Sequence, residues 1–443
     1  MNAKLIPSLP DNSILRVEAE GGLFLRRSGT FKPVSLSDLK LLREIDGVST
    51  AYSIVKQISE SITEMACGLI RISVLVNEGI ISLQPNPSAQ PKKACVGKNL
   101  PFSKKAFSTP VLVSLAVTRE CNRECVHCYR KAVDQRGAID SACFRAIVDS
   151  LAGMDIAILN ITGGEPFVHE DIVDLARFAA TKINCVTIST NGTLLERSIL
   201  RDISQGGVKN LQIGLNAIYD TQHGFDEEGF GKVFKSIRIA FEEGIRVVGG
   251  VVLTRNTIGS LDEIFRHSSE SGVSSIRLGP LMNVHPGCAS LSVSAEDVLD
   301  AASHASMLSR DVGLHVDFVD GLADPRRVLI DPAERRHYCY LGTGILHIEP
   351  DGSLFPCSAL VSDEFCIGKM SSQPTIDEFS EIWRGSEILG YLREVTIDSI
   401  ETCAGCEIRS RCCGGCRTAA YWNTGSIIGE NPFCSIAKGC LTP

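Results

Sequence analysis

Between Thr109 and about Asp320 the chain repeats one pattern, a short apolar β-rich run followed by an amphipathic helical stretch. The runs are LVSLAVT, IAILNIT, CVTIST, NLQIGLN, RVVGGVVLT and SSIRLGP, with stretches such as DIVDLARFAATK and GKVFKSIRIAFEEG between them. Strands so continuously apolar are buried on both faces, the condition of parallel strands covered by crossover helices. The pattern predicts an α/β fold, either an open sheet or a barrel, with chemistry at the C-terminal ends of the strands. No run approaches the ~18 apolar residues of a membrane span. The longest, Val111 to Val117 and Val247 to Leu253, have strand length.

Two other regimes flank this one. From Ser13 to about Leu83, the alternating segments ILRVEA, GLFLRR and FKPVSL precede helical patterns. Leu39, Leu42 and Ile45 recur at helical spacing, and Ile62, Met65, Ala66, Leu69, Ile72 and Val76 run on to Gly79, a C-cap candidate. The stretch QPNPSAQPKKACVGKNLPFSKK then reads as an extended linker. After Arg335 periodicity gives way to short segments, and ten of the eighteen cysteines fall there. At 443 residues the chain has room for about three domains. We place them at 1–84, 109–325 and 335–443, with 85–108 as linker.

The start MNAKLIPSLPDNSILRVE has no apolar h-region, so the expected compartment is reducing and cytoplasmic. Clustered cysteines in that setting are metal ligands or catalytic groups rather than cross-links. A net charge of −8 does not favour binding to a nucleic-acid backbone.

The segment CNRECVHC follows the first barrel-region run and sets Cys121, Cys125 and Cys128 in the spacing CxxxCxxC. Three thiolates can hold three irons of a [4Fe-4S] cube and leave the fourth iron open. A zinc site with a distant fourth ligand, or three unrelated thiols, would share the spacing. With TGGEP (Thr162 to Pro166) ending the second run, the sequence resembles the radical S-adenosylmethionine (SAM) superfamily.

That resemblance implies a partial (β/α)6 TIM-like barrel with a SAM-binding [4Fe-4S] cluster on Cys121, Cys125 and Cys128. It implies reductive cleavage of SAM to methionine and a 5′-deoxyadenosyl radical, which abstracts a substrate hydrogen. By the same resemblance Gly163, Gly164 and Glu165 hold the methionyl amino group, and His127 lies near the adenine. STNG (Ser189 to Gly192) ends the third run and makes Ser189 a SAM-contact candidate. LQIGLNA has Gly214 and Asn216 where relatives commonly show serine and aspartate, so Asn216 is the candidate ribose contact. Arg255 and Asn256, after the fifth run, are candidates for the SAM carboxylate.

Cys339-x12-Gly352-x4-Cys357, then Cys403-x2-Cys406-x5-Cys412-x3-Cys416 and Cys434, resembles the SPASM domain of radical SAM peptide and protein maturases. The resemblance implies two auxiliary [4Fe-4S] clusters. Cys403, Cys406, Cys412 and Cys434 would bind one, and Cys339, Cys357 and Cys416 the other. The second set is one ligand short; an open iron, Cys366, Cys413 or a non-thiol ligand would complete it. Paired zinc ribbons are the rival reading of the spacing. Cys67, Cys95, Cys143, Cys185, Cys288, Cys366, Cys413 and Cys440 read as mostly buried small hydrophobes. Cys288, in HPGC after the sixth run, is the best placed of them for a catalytic hydrogen-atom donor.

Strands followed by three helices describe a winged-helix-like N-terminal domain, a common DNA reader. Residues 1–90 carry nine basic and nine acidic side chains, a poor balance for that role. SLSDLKLLREIDGVSTAYSIVKQI instead resembles the RiPP recognition element of the pyrroloquinoline-quinone peptide-chaperone type. The resemblance implies capture of a precursor peptide's leader by strand addition, between the strand near Gly29 to Val34 and the helix from Ile62.

Joined, the parts describe a radical SAM peptide-modifying enzyme of oxidoreductase type, acting in RiPP biosynthesis. Crosslinking (thioether or carbon-carbon) and epimerisation are both compatible. The expected partners are a precursor peptide and an electron donor such as flavodoxin or ferredoxin, with neither nucleic acid nor membrane. A maturase of folded proteins of the sulfatase-activating type and an iron-sulfur DNA-binding regulator are the alternatives.

Overall fold

The structure, a computed structural model, describes residues 5–9, 14–18, 21–25, 31–34, 36–46, 48–59, 61–77, 80–86, 95–96, 106–132, 137–219, 226–319, 339–406, 409–412 and 414–434. Gly29, Gly79, most of 85–108, Cys413 and Cys440 lie outside the described residues. The chain divides into two compact units, 1–109 and 110–443.

In the first unit, β1 (Ile6–Ser8) precedes a meander of β2 (Ile14–Glu18), β3 (Gly21–Leu25) and β4 (Phe31–Val34). The helices α1 (Leu36–Glu44), α2 (Ala51–Ile58) and α3 (Ile62–Asn77) follow, then β5 (Ser82–Gln84) and β6 (Cys95–Val96). The sheet order is β4-β3-β2-β6, which makes β4 an outer strand. The helical spacing read from the sequence is the core stripe: Leu39, Leu42 and Ile45 are buried with Ile54, Val55, Ile72 and Leu75. Arg71 Nε and Nη2 fork onto Asp38 Oδ1 and Oδ2 at 2.5 and 2.9 Å, tying α3 to α1. The antiparallel ribbon of β1 and β5, with Ile6 opposite Gln84, rests on three-residue runs too short to show a period.

In the second unit six strands occupy the six apolar runs: β7 (Leu112–Thr118), β8 (Ile158–Gly163), β9 (Cys185–Thr190), β10 (Asn210–Gly214), β11 (Arg246–Leu253) and β12 (Ser275–Pro280). Between and after them lie α4 (Ser141–Gly153), α5 (Ile172–Lys182), α6 (Arg197–Gln205), α7 (Glu227–Glu242), α8 (Arg255–Ile258), α9 (Leu261–Ser271) and α10 (Ala295–Asp311). Local chemistry starts the helices. Asp140 caps α4 by accepting from Ala142 N and Cys143 N at 2.9 and 3.1 Å, and Ser294 and Asp297 form a capping box at α10.

A seventh parallel strand, β13 (His315–Phe318), extends the barrel beyond β12. Its four residues lie at an outer position and carry His315 and Asp317, so the sequence there lacks a buried strand's apolar run.

Neighbouring strands pair in parallel register, so whole rows of side chains share a face. Leu115, Ile161, Ile188, Ile213, Val251 and Leu278 lie on the face buried under the helices. The opposite face carries Ser114, Asn160, Ser189, Gln212 and Arg277 and forms the polar interior of the half-open barrel.

The C-terminal region continues the same sheet. β14 (Ile345–Ile348) pairs in parallel with β7, His347 opposite Ser114. The antiparallel β15 (Ser353–Phe355) and β16 (Gly368–Lys369) follow. Beyond them come α11 (Ile376–Gly385), α12 (Glu387–Glu394), α13 (Arg409–Cys412) and α14 (Arg417–Thr424). Phe379 and Trp383 of α11 belong to one continuous core with Val113 and Leu115, and Ser150 Oγ of α4 donates to Pro374 O at 2.7 Å. Phe379→Ala is therefore expected to lower the urea-unfolding free energy by about 3–5 kcal/mol. A loss below about 1 kcal/mol would contradict a core role for α11.

Candidate active site

The CxxxCxxC loop leaves the C-terminal end of β7, and the TGGEP turn leaves the end of β8 beside it. Two hydrogen bonds carry the parallel ladder past the strand ends: Gly164 N donates to Thr118 O and Glu165 N to Glu120 O, each at 2.8 Å. The approach is so close that a Cβ on Gly163 or Gly164 would collide with the carbonyl oxygens of Thr118 and Glu120. Gly163 also has φ +148°, open in practice only to glycine. The two glycines are thus needed to seat the cysteine loop, whatever binds there.

Glu165 is 0% exposed. Its carboxylate accepts from Thr190 Oγ1 at 2.7 Å, Asn191 N at 2.7 Å and Phe167 N at 3.2 Å. Three chain donors leave about one of its four acceptor sites for a ligand. Burial pushes its carboxyl above the usual range, against the pull of those donors. The Cys121 thiol is also raised, first by burial and then by the neighbouring charges of Glu165 and Cys128. The site gathers acidic groups whose ionised forms a cationic iron core or a ligand ammonium would stabilise.

Asn191, from the STNG run, reaches this loop. Its Nδ2 donates to Asn122 Oδ1 at 2.8 Å and lies 3.9 Å from Cys121 Sγ. Asn122 Nδ2 in turn donates to Thr193 Oγ1 at 2.9 Å. Sequence reasoning singles out Ser189 and passes over Asn191, two residues on and just past the end of β9. Ser189 Oγ lies deeper and donates to Asn160 Oδ1 at 2.8 Å in the barrel interior.

Asn216 is buried and spends its amide on the next strand: Nδ2 donates to Val252 O at 2.9 Å and Oδ1 accepts from Val252 N at 2.6 Å. It extends the β10–β11 pairing by one rung. Arg255 opens α8 at the end of β11 and is exposed, and Asn256 Nδ2 donates to Tyr219 O at 3.3 Å. His127 sits half-buried within the loop itself. Cys288 is 0% exposed, in an apolar cluster with Leu281, Val284, Val126, Tyr129 and Trp422. That packing seals its thiol from solvent.

The C-terminal cysteines gather around Arg417, whose buried guanidinium feels the thiols of Cys339, Cys403, Cys412 and Cys416. Burial lowers the Arg417 pKa, and those thiols oppose the shift. Its side chain donates to Gly429 O at 2.9 Å, to Ile427 O at 3.2 Å and to Gly414 O, pinning the turn that presents Cys416. Cys403 interacts electrostatically with Cys406 and Cys434. Tyr129, next to Cys128, lies near Ser358, Cys128 and Cys357. Cys366, a candidate to complete the three-cysteine set, donates its thiol to Gly368 O at 3.5 Å. Among the described residues no three of His, Cys, Asp or Glu converge on a single ion. The thiols of a cubane site bind separate irons and need no such convergence.

The family model of the Radical SAM superfamily matches residues 115–267 of this chain. The model of SPASM, an iron-sulfur cluster-binding domain, matches residues 339–407. The chain is 26% identical over 370 residues to an AdoMet-dependent heme synthase of Nitratidesulfovibrio vulgaris, covering 75% of this chain and 94% of that protein. It is 25% identical over 346 residues to the PqqA peptide cyclase of Gluconobacter oxydans, covering 74% and 92%. In fold it is similar to Streptococcus suis SuiB bound to precursor peptide SuiA, with TM-score 0.67, 14% identity and coverage of 96% of this chain and 99% of that one.

Gly164→Ala forces the TGGEP turn off the Glu120 carbonyl, a strain of about 1–3 kcal/mol if the fold holds. The variant is expected to lose the iron of one cluster per chain while keeping the rest. Gly231→Ala, where nothing lies within 4 Å of the added methyl, is the control. Unchanged iron content in Gly164→Ala would contradict the seating role.

Proposed function

We propose that this chain, a radical SAM enzyme whose cofactors are a SAM-binding [4Fe-4S] cluster and the auxiliary clusters of a SPASM region, modifies a ribosomally made precursor peptide recognised through its leader. The observation that carries the reading is the extent of the fold match. The match to SuiB, solved with a precursor peptide bound, covers 96% of this chain and so takes in the N-terminal unit as well as the barrel and C-terminal region. The relation to a peptide cyclase supports the same substrate class.

Cys121, Cys125 and Cys128 hold the SAM-binding cluster. When bound, the cluster supplies one electron and SAM the hydrogen-abstracting group, so the protein's work is orientation and exclusion of water. Gly163 and Gly164 bring the backbone close, Glu165 offers its remaining acceptor site to the SAM ammonium, and His127 lies toward the adenine. Arg255 is the exposed cation at the strand ends suited to the SAM carboxylate. Asn216 acts by fixing the β10–β11 ends, and Ser189 lines the interior below. Cys403, Cys406, Cys412 and Cys434 hold one auxiliary cluster, and Cys339, Cys357 and Cys416 the other.

A flavodoxin or ferredoxin supplies the electron. No helix among the described residues is long and apolar enough to cross a membrane. The leader docks on the N-terminal unit, where β4 is an outer strand of its sheet and offers an edge for strand addition.

The similarity to a heme synthase favours a second reading, with a tetrapyrrole substrate. Deleting residues 1–83 separates the two. The truncated enzyme is expected to keep forming 5′-deoxyadenosine from SAM and reductant but to lose at least about tenfold in turnover of a precursor peptide encoded beside it, the effect of withdrawing remote binding energy. Undiminished peptide turnover, or turnover of a tetrapyrrole and not the peptide by the full chain, would overturn the proposal.

A further inference from the structure

The cysteine loop is flanked by two arginines, Arg119 before Cys121 and Arg130 after Cys128. Both reach the same carboxylate, that of Glu349, which lies just past β14 in the C-terminal region. Arg119 Nε donates to Glu349 Oε2 at 2.8 Å. Arg130 forks onto it, Nη1 to Oε1 at 2.9 Å and Nη2 to Oε2 at 3.1 Å. His347 Nε2 completes the set at 2.8 Å from Oε1.

Four donors fill the acceptor capacity of one carboxylate. Glu349 and His347 are 0% exposed and Arg130 is 3% exposed. Burial alone would push the Glu349 carboxyl up, but the His347 and Arg130 donors and the charge of Arg130 outweigh it and hold the carboxyl far below its usual range. Burial drives His347 the other way, below its usual pKa. With the carboxylate ionised and acceptor-only, His347 keeps its proton on Nε2 and hydrogen-bonds it to Oε1.

The backbone around Glu349 is fixed as well. Glu349 N donates to Ser353 O and Gly352 N to Glu349 O, both at 2.9 Å. Gly352, at φ +85°, closes the turn that brings Asp351 Oδ1 to 3.4 Å from Arg119 Nη2.

A buried ion cluster is a poor way to gain stability, since apolar residues of the same volume do as well or better. It is a good way to fix geometry, because each fork accepts one angle and distance. We infer that Glu349 is the positioning residue of the Cys121–Cys128 loop, a carboxylate from the C-terminal region that holds both ends of the loop and so sets how its three thiols are presented. Arg119 and Arg130 transmit that hold, and His347 fixes the orientation of the carboxylate. The loop's conformation therefore depends on the fold of the region that houses the auxiliary cysteines. The inference rests on the reading of Cys121, Cys125 and Cys128 as cluster ligands.

The test is Glu349→Gln in the full-length, iron-loaded protein, read in two ways. Hydrogen exchange of the amides in 119–131 is expected to speed up by about tenfold or more while β8 to β12 keep their protection. The change that SAM makes in the spectrum of the reduced protein, by electron paramagnetic resonance, is expected to disappear while the auxiliary-cluster signals persist. A variant whose loop exchanges as slowly as the parent, or one that loosens evenly across the barrel, would overturn the inference.

Arg119→Gln is the second variant, since Arg119 is the less buried partner and Arg130 still holds the carboxylate. It is expected to show the same two changes at smaller size and to add nothing in the Glu349→Gln background. If Glu349→Gln does not fold, Arg119→Gln alone decides by the same readouts. A parent protein without any SAM-sensitive signal would instead overturn the cluster assignment and leave the loop-exchange result to judge Glu349.

Discussion

One loop carries the burden of this structure. Residues 119–130 have to present the thiols of Cys121, Cys125 and Cys128 together, with the buried carboxylate of Glu165 within electrostatic reach of Cys121. Burial and the neighbouring acidic groups disfavour an ionised Cys121 thiol here, so presenting the three thiols together takes a held backbone. It is held from two sides. The barrel supplies the ladder from Thr118 and Glu120 to Gly164 and Glu165, and the C-terminal region supplies Glu349 behind Arg119 and Arg130. Arg119 and Arg130 lie at the loop's ends and the three cysteines between them.

The rest of the architecture serves that loop. Parallel strands bring the ends of β7, β8 and β9 into line, which is why a glycine turn from the second and an asparagine from the third can touch the first. The sheet's apolar face is sealed by helices, and its inner face keeps a row of polar side chains from Asn160 and Ser189 to Gln212 and Arg277. Arg277 Nη1 donates to Gln212 Oε1 at 3.0 Å, giving this interior a hydrogen-bonding lining rather than a packed apolar fill. β14 then adds to the same sheet beside β7, so the auxiliary region is built onto the barrel's first strand and is close enough to grip what that strand carries.

Much of this was legible in the sequence, and the limits have physical causes. Periodicity located six strands because each sets a dense apolar row on the face that the helices cover, and it missed β13, whose short, half-polar sequence carries no such run. The cysteine spacings and TGGEP were legible because a cluster loop and a close backbone approach each demand particular residues at particular intervals. Asn191 was passed over because an asparagine in a strand-end turn has many ordinary uses. Asn216 was read as a ligand contact, and only the backbone partner at Val252 displays its structural use. Glu349 was invisible for a deeper reason. Its partners lie 230 and 219 positions away in the chain, and no local pattern distinguishes a glutamate that anchors a distant loop from one that faces water.

The measurement that bears most directly on the central claim is SAM cleavage by the reconstituted chain with Cys121, Cys125 and Cys128 all replaced by alanine. Loss of 5′-deoxyadenosine formation to the background without enzyme, with the auxiliary-cluster iron retained, is the predicted result. Cleavage surviving the triple substitution would contradict the assignment of these thiols as the SAM-cluster ligands.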